Sequence, residues 1–274
     1  MELAVINQPM PMLCETVKML PDDGGWIFEW KLDGGRAIAV SRNGRRKLFS
    51  RSGNDLRMQF PEIERDLAEV GNVVLDGEIV VFDGDGVDDI NLYQQRALIR
   101  NKYQVEKRSV ALPAFLMVFD LLAVEGKDLT YQPLLHRKAE LKAIIPPTLE
   151  HIRVLPWHET PQELLGRMDI EGVVAKRRDS IYEGKRSNSW VKYRFMEEAD
   201  VLAVDYEVTR KGIVCMDEEG HRFNINGRLG WEAKAILDED GKIVLEVEYS
   251  RKTGLGQAAG RFRFPAVKRI RRVE

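Results

Sequence analysis

The stretch from Trp26 to Phe82 constrains this chain more than any other. It breaks into short runs, WIFEWKLDG, RAIAVSR, KLFSRSG and NVVLDGEIVVFD, in which apolar residues alternate while Gly, Asn and Asp punctuate the ends. A period of two with turn residues between runs predicts antiparallel strands joined by tight turns. FPEIERDLAEV, with apolar residues at helical spacing behind Pro61, interrupts them as a helix. Further along, NLYQQRALIRNKY reads as a helix, PAFLMVFDLLAV as a buried strand, and LLHRKAELKAII as an amphipathic helix. ELLGRMD is expected to be helical, ahead of a strand pair EGVVAKRR and SWVKYR. The first part is therefore mixed α+β.

Near Phe195 to Ala199 the character changes. The acidic FMEEAD reads as a link to VLAVDYEV, after which GIVCMDE, HRFNING and KIVLEVEYS are further short strands around one helix candidate, WEAKAIL. About five short strands and one helix in about 75 residues suit a small barrel, and pattern alone allows the OB and the SH3-like type equally. The expected domains are residues 1–195 and 199–274.

With 44% hydrophobic residues among 274, the chain has the material for real cores. No apolar run approaches the ~18 residues of a membrane helix, and no basic-then-apolar leader opens the sequence, so a cytoplasmic protein is expected. Cys14 and Cys215 lie far apart without clustered Cys/His spacing, which argues against a disulfide framework or a structural zinc and leaves buried free thiols as the default. The net charge of −2 conceals an uneven distribution. From Arg251 onward there are eight basic residues (Arg251, Lys252, Arg261, Arg263, Lys268, Arg269, Arg271, Arg272) against Glu274, and Arg42 to Arg57 holds six basics against Asp55. Such patches suit a phosphate backbone, unless acids from elsewhere in the fold balance them.

One lysine stands out. In EWKLDGGR, Lys31 follows Trp26, Phe28 and Trp30 and precedes Asp33, two glycines and Arg36. A lysine in apolar surroundings can serve as a covalent nucleophile once its amine is deprotonated, and Arg36 can grip a phosphate or carboxylate bidentately. The same letters also describe a hairpin with Lys31 exposed and Asp33-Gly34 forming the turn.

The order of motifs along the chain decides between them. KLDGGR at 31–36 is followed by SRSGN at 50–54, LDGEIVVFD at 75–83, FDLL at 119–122, EGVVAK at 171–176 and SWVKYR at 189–194. This series resembles the covalent nucleotidyltransferase superfamily, and within it the ATP-dependent DNA ligases in their compact two-domain form. The continuation FDLLAVEGKDLTYQPLLHRKAEL is ligase-like too. The resemblance implies an adenylyltransferase domain of ATP-grasp-like antiparallel sheets with helices, followed by an OB-fold barrel. It makes Lys31 the nucleophile that attacks the α-phosphate of ATP and holds AMP as a phosphoramidate. It sets Glu29 beside the adenine, Arg36 and Arg51 on ribose and phosphate, and Glu78 on the ribose or a metal-bound water. Phe119 would stack on the adenine, although as a core aromatic it would need no such role. Glu171 and Glu78 would serve Mg²⁺ or Mn²⁺, hard ions that take oxygen ligands. Lys176, Arg186 and Lys192 would neutralise phosphate charge, the main demand of phosphoryl transfer.

The activity so implied is sealing of nicks between 3′-OH and 5′-phosphate in duplex DNA through lysyl-AMP and a DNA-adenylate, by a monomer of bacterial or phage type. An RNA ligase or an RNA-capping nucleotidyltransferase shares the same core and is the alternative. With no extra N-terminal DNA-binding domain expected, core and barrel would grip DNA themselves, the barrel turning about the Phe195 to Ala199 link. Two departures stand out. Arg194 replaces the second lysine of the last core motif, and FRFPAVKRIRRVE lacks the aspartate of the family's Arg-x-Asp-Lys/Arg C-terminal motif.

Overall fold

The structure is a computed structural model that describes residues 10–167, 169–250, 262 and 265–273. The chain divides into two compact units, Met1–Tyr193 and Arg194–Glu274. The basic residues Arg251, Lys252, Arg261 and Arg263 lie outside the described residues.

In the first unit the chain runs β1 (Leu13–Thr16), β2 (Trp26–Trp30), β3 (Gly35–Arg42), β4 (Arg45–Ser50), α1 (Pro61–Asp66), β5 (Val73–Val81), α2 (Ile90–Ala97), α3 (Lys102–Ala111), β6 (Ala114–Val124), β7 (Lys127–Asp128), α4 (Leu134–Ile144), β8 (Ile152–Val154), β9 (Trp157–His158), β10 (Gly172–Arg177) and β11 (Arg186–Arg194). Two sheets form. One has the order β1-β11-β10-β2-β9, the other β4-β3-β5-β6-β7 with β8 alongside β6.

Period-two patterning builds the layers. On β3, Ala37 and Ala39 face one core while Ile38 and Val40 face another; on β6, Leu116 and Val118 part in the same way from Met117 and Phe119. The first face packs on Ile63, Leu67 and Leu141 from helical segments, and the second on Ile27 and Trp190 of the other sheet. The second sheet is thus a middle layer buried on both faces. Asn43-Gly44, both at positive φ, close the β3–β4 hairpin in which Arg42 pairs with Arg45.

Several expectations need correction. NLYQQRALIRNKY is two helices, because Asn101 caps a new one with its side chain accepting from Gln104 N at 3.1 Å. ELLGRMD is no α-helix: a 3₁₀ turn over Pro161–Glu163 precedes irregular backbone. α4 is not cleanly amphipathic, since Arg137 and Lys138 are buried on it beside Leu134 and Leu141.

The second unit contains β12 (Glu197–Thr209), β13 (Gly212–Asp217), β14 (Arg222–Asn226), α5 (Gly227–Asp240), β15 (Ile243–Tyr249) and β16 (Ala266–Arg271). The segment FMEEAD is not a free link, because from Glu197 onward it is already strand, paired with β15 from Glu197↔Tyr249. The strands follow the order β14-β13-β12-β15-β16, and the two end strands β14 and β16 approach each other. Inward Ile243, Leu245, Val247 and Phe223 pack on Ala233 and Leu237 of α5, whose end is fixed by Gly241 at φ 69°. Among the described residues no helix is long and apolar enough to cross a membrane.

Candidate active site

Lys31 sits just past β2, and its backbone N–H donates to Gly172 O of the neighbouring strand at 2.9 Å. The chain does not fold back as a hairpin there. β2 and β3 belong to different sheets, so Leu32, Asp33 and Gly34 form the crossing between layers. Asp33 N–H donates to Asp88 Oδ2 at 2.5 Å, pinning the crossing to the segment after β5. The glycines are required by proximity: a Cβ on Gly34 would lie 2.1 Å from Ile79 O, and one on Gly35 2.0 Å from the Tyr93 ring.

Where the two sheets part at this crossing they leave a cavity of about 350 Å³. Nine of the residues singled out in the sequence line it: Glu29, Lys31, Arg36, Arg51, Glu78, Phe119, Lys176, Arg186 and Lys192. Glu171 is not in the lining; it is buried and forms an ion pair with the Lys31 ammonium. Trp190 and Cys14 complete part of the wall. Cys14 is half-buried, not buried as expected, and burial pushes its thiol up despite nearby Lys176 and Arg36. Cys215 is buried in the second unit, which raises its thiol to about 11. A hollow of similar size beside Asn43, Asn72 and Glu125 holds none of the residues expected to bind the nucleotide or the metal.

The charges in the cavity are held by partners that the sequence did not reveal. Arg36 donates from Nε and Nη2 to the two oxygens of Asp76, each at 2.6 Å, and from Nη2 to Met12 O at 3.0 Å. Tyr182 OH donates to the same Asp76 at 2.6 Å. Burial alone would lower the guanidinium's pKa, but the Asp76 charge overrides it and the value rises. Glu29 faces two ammoniums, Lys138 from α4 and Lys176 at 2.7 Å from β10. Burial pushes this carboxyl up, yet the two lysines outweigh it and leave it below the usual range. Lys176 Nζ lies 3.9 Å from the Phe119 ring centroid and 4.0 Å from that of Trp190, and the Arg36 guanidinium carbon lies 4.6 Å from Phe119. The ring expected to stack on a base is therefore already engaged by two cations. Glu78 is half-buried, and burial raises its carboxyl to about 7 in spite of Arg36 and Lys31.

Asp76, Lys138, Tyr182 and Trp190 were missed as site residues. The signal for Lys138 was present: Leu134, Arg137, Lys138 and Leu141 have helical spacing on one face, and charges on an apolar stripe must find buried partners. Among the described residues of the basic patches, several are paired with acids. Arg46 meets Glu64 at 2.7 Å and Arg57 meets Asp55 at 2.7 Å; Lys268 meets Glu248 at 2.5 Å, Arg271 meets Asp200, and Arg272 meets Glu239 and Asp240.

Comparisons with known proteins point to one family. The family model described as "ATP dependent DNA ligase domain" matches residues 11–194. "DNA ligase 2" of Methanosarcina acetivorans is 28% identical over 94% of this chain and 50% of that protein. The SPbeta prophage-derived DNA ligase-like protein LigB of Bacillus subtilis is 31% identical over 74% of this chain and 73% of that protein. A solved structure of mycobacterial DNA ligase D complexed with ATP and MES is 25% identical, with TM-score 0.61 over 98% of this chain and 97% of that one. The chain spans about half the length of the Methanosarcina relative.

Proposed function

The chain belongs to the family of the ATP-dependent DNA ligase domain, and from that premise we propose that it seals nicks in duplex DNA with ATP through an adenylate carried on Lys31. The carrying observation is the Lys31 amine in a cavity lined by Arg36, Arg51, Lys176, Arg186 and Lys192. Such a concentration of cations favours a triphosphate, and in-line attack needs positioning and charge stabilisation above all.

In the first step Lys31 Nζ gives up a proton and forms a bond to the α-phosphorus of ATP, and pyrophosphate leaves. Glu171, already paired with that nitrogen, is the group placed to take the proton. In the second step an oxygen of the 5′-phosphate at a nick attacks the adenylate phosphorus, and the P–N bond to Lys31 breaks. In the third the 3′-hydroxyl attacks the DNA phosphate and AMP departs.

A divalent ion is a natural companion of this chemistry. Glu78 fits one: it lines the cavity, and burial disfavours its charge unless a cation compensates. Glu171 does not fit while it is committed to Lys31. Bound at Glu78, Mg²⁺ or Mn²⁺ would screen the triphosphate oxygens. The second unit, which among the described residues has five strands and one helix with the end strands close together, is proposed as the OB-type barrel that helps hold DNA.

The test is intact-mass spectrometry after incubation with ATP and Mg²⁺, beside a gel of nicked duplex supplied with ATP or with NAD. The native chain should gain one adenylate and seal with ATP; Lys31→Ala should gain none. An unlabelled native chain would refute the proposal.

A further inference from the structure

Three groups form a buried triad at the cavity wall. Glu29 has 1% exposure, Lys176 2% and Lys138 4%. One carboxylate thus serves two ammoniums, and the triad carries one excess positive charge away from water, which burial penalises. The three are not equivalent. Glu29 and Lys176 line the cavity, whereas Lys138 reaches the carboxylate from α4 on the far side. Of the two lysines, Lys176 is the one within reach of a ligand in the cavity. Its Nζ lies 2.7 Å from Glu29 Oε2, and its other close neighbours include the ring faces of Phe119 and Trp190. Burial first, and then the Lys138 charge, hold the Lys176 amine below the ordinary lysine value against the pull of Glu29.

We propose that Lys138 is a positioning residue that frees Lys176 to exchange Glu29 for a phosphate of the bound nucleotide. When Lys176 turns to the phosphate, Lys138 stays on Glu29, so a neutral pair remains in place of a bare buried carboxylate. Without Lys138 the same movement would strip Glu29 of every cation, a change as costly as breaking a buried ion pair. Lys176 would then stay locked on Glu29, and the nucleotide would lose a charge-assisted contact. The effect on folding runs the other way, because removing Lys138 leaves Glu29 and Lys176 as a balanced pair. Weaker nucleotide binding without weaker folding separates this role from that of a structural brace.

The inference rests on the nucleotide-binding reading above, and its test does not depend on catalysis alone. The full chain is compared with Lys138→Met and Lys138→Gln. Melting temperatures are taken with and without inorganic tripolyphosphate, and adenylate labelling is followed against ATP concentration. Both variants should melt at or above the native temperature, and tripolyphosphate should raise their melting less than that of the native chain. Half-maximal labelling should need about tenfold more ATP, with the maximal rate within about threefold of native. Loss of folding in both variants, or melting below native in one that folds, makes Lys138 a brace and overturns the proposal. So does an unchanged response to tripolyphosphate. Should the native chain take up no adenylate, the nucleotidyl-transfer reading fails, and the melting data alone decide the role of Lys138.

Discussion

Glu78 is the residue where burial and charge most directly predict behaviour. Its carboxyl is raised from an ordinary 4.5 to about 7, first by burial. The folded state therefore holds this proton more tightly than the unfolded chain does. The stability it contributes is complete below pH 4.5 and is lost as pH rises through about 7. Glu78→Gln removes that dependence, so at pH 8 the variant should be more stable than native by on the order of 1–3 kcal/mol, with the gap closing towards pH 4. Thermal melts of both proteins across this range check it, and parallel curves would refute it. A divalent ion favours the charged carboxylate, so Mg²⁺ should shrink the gap. At this scale the letters bring nine of the expected residues to one cavity but say little about how their charges pair. Glu29, Lys31 and Lys176 carry their spacing in the letters, but the partner of each charge comes from a distant segment. Lys138 lies 109 positions from Glu29, and Glu171 lies 140 from Lys31.

Among the elements, strands were legible because two-sided patterning is written directly into β3, β5 and β6. Helices were less so. α2 and α3 merged in the reading because their apolar periodicity runs past Asn101, whose capping side chain marks the break. The hairpin reading of Lys31 failed for a related reason: local letters say that a turn occurs, not which sheet receives the next strand. β16 was read as a basic motif, since AVKRIR has few inward residues beyond Val267 and Ile270. α4 shows what such misreadings hide. Its Arg137 binds both oxygens of Asp120 on β6 at 2.7 Å, and neither side chain is exposed. Asp120→Ala leaves a buried guanidinium without its carboxylate and should cost about 3–5 kcal/mol, read from the urea midpoint. Asp120→Leu with Arg137→Met should recover most of that loss. A double variant no better than the single one would contradict this account of the α4–β6 contact.

Over the molecule as a whole, net charge and local patches give different expectations for a polyanion, and ion pairing arbitrates. Lys268, Arg271 and Arg272 already face acids of β15, β12 and α5, while Arg45 is exposed on β4. Arg45→Ala should therefore reduce the slope of log affinity against log salt for nicked DNA by up to about one unit. Arg271→Ala, whose guanidinium meets Asp200, should change it by less. Equal slopes for the two variants would show that the pairs open freely on DNA. The wall of the cavity has one more consequence. Trp190 has no exposed surface, stands edge-on to Phe119 and holds the Lys176 ammonium against its face. Indole emission responds to a cation at such range, so the protein contains its own lamp: with the other four tryptophans replaced by phenylalanine, each arrival and departure at the triad should register as a colour change, with no dye attached.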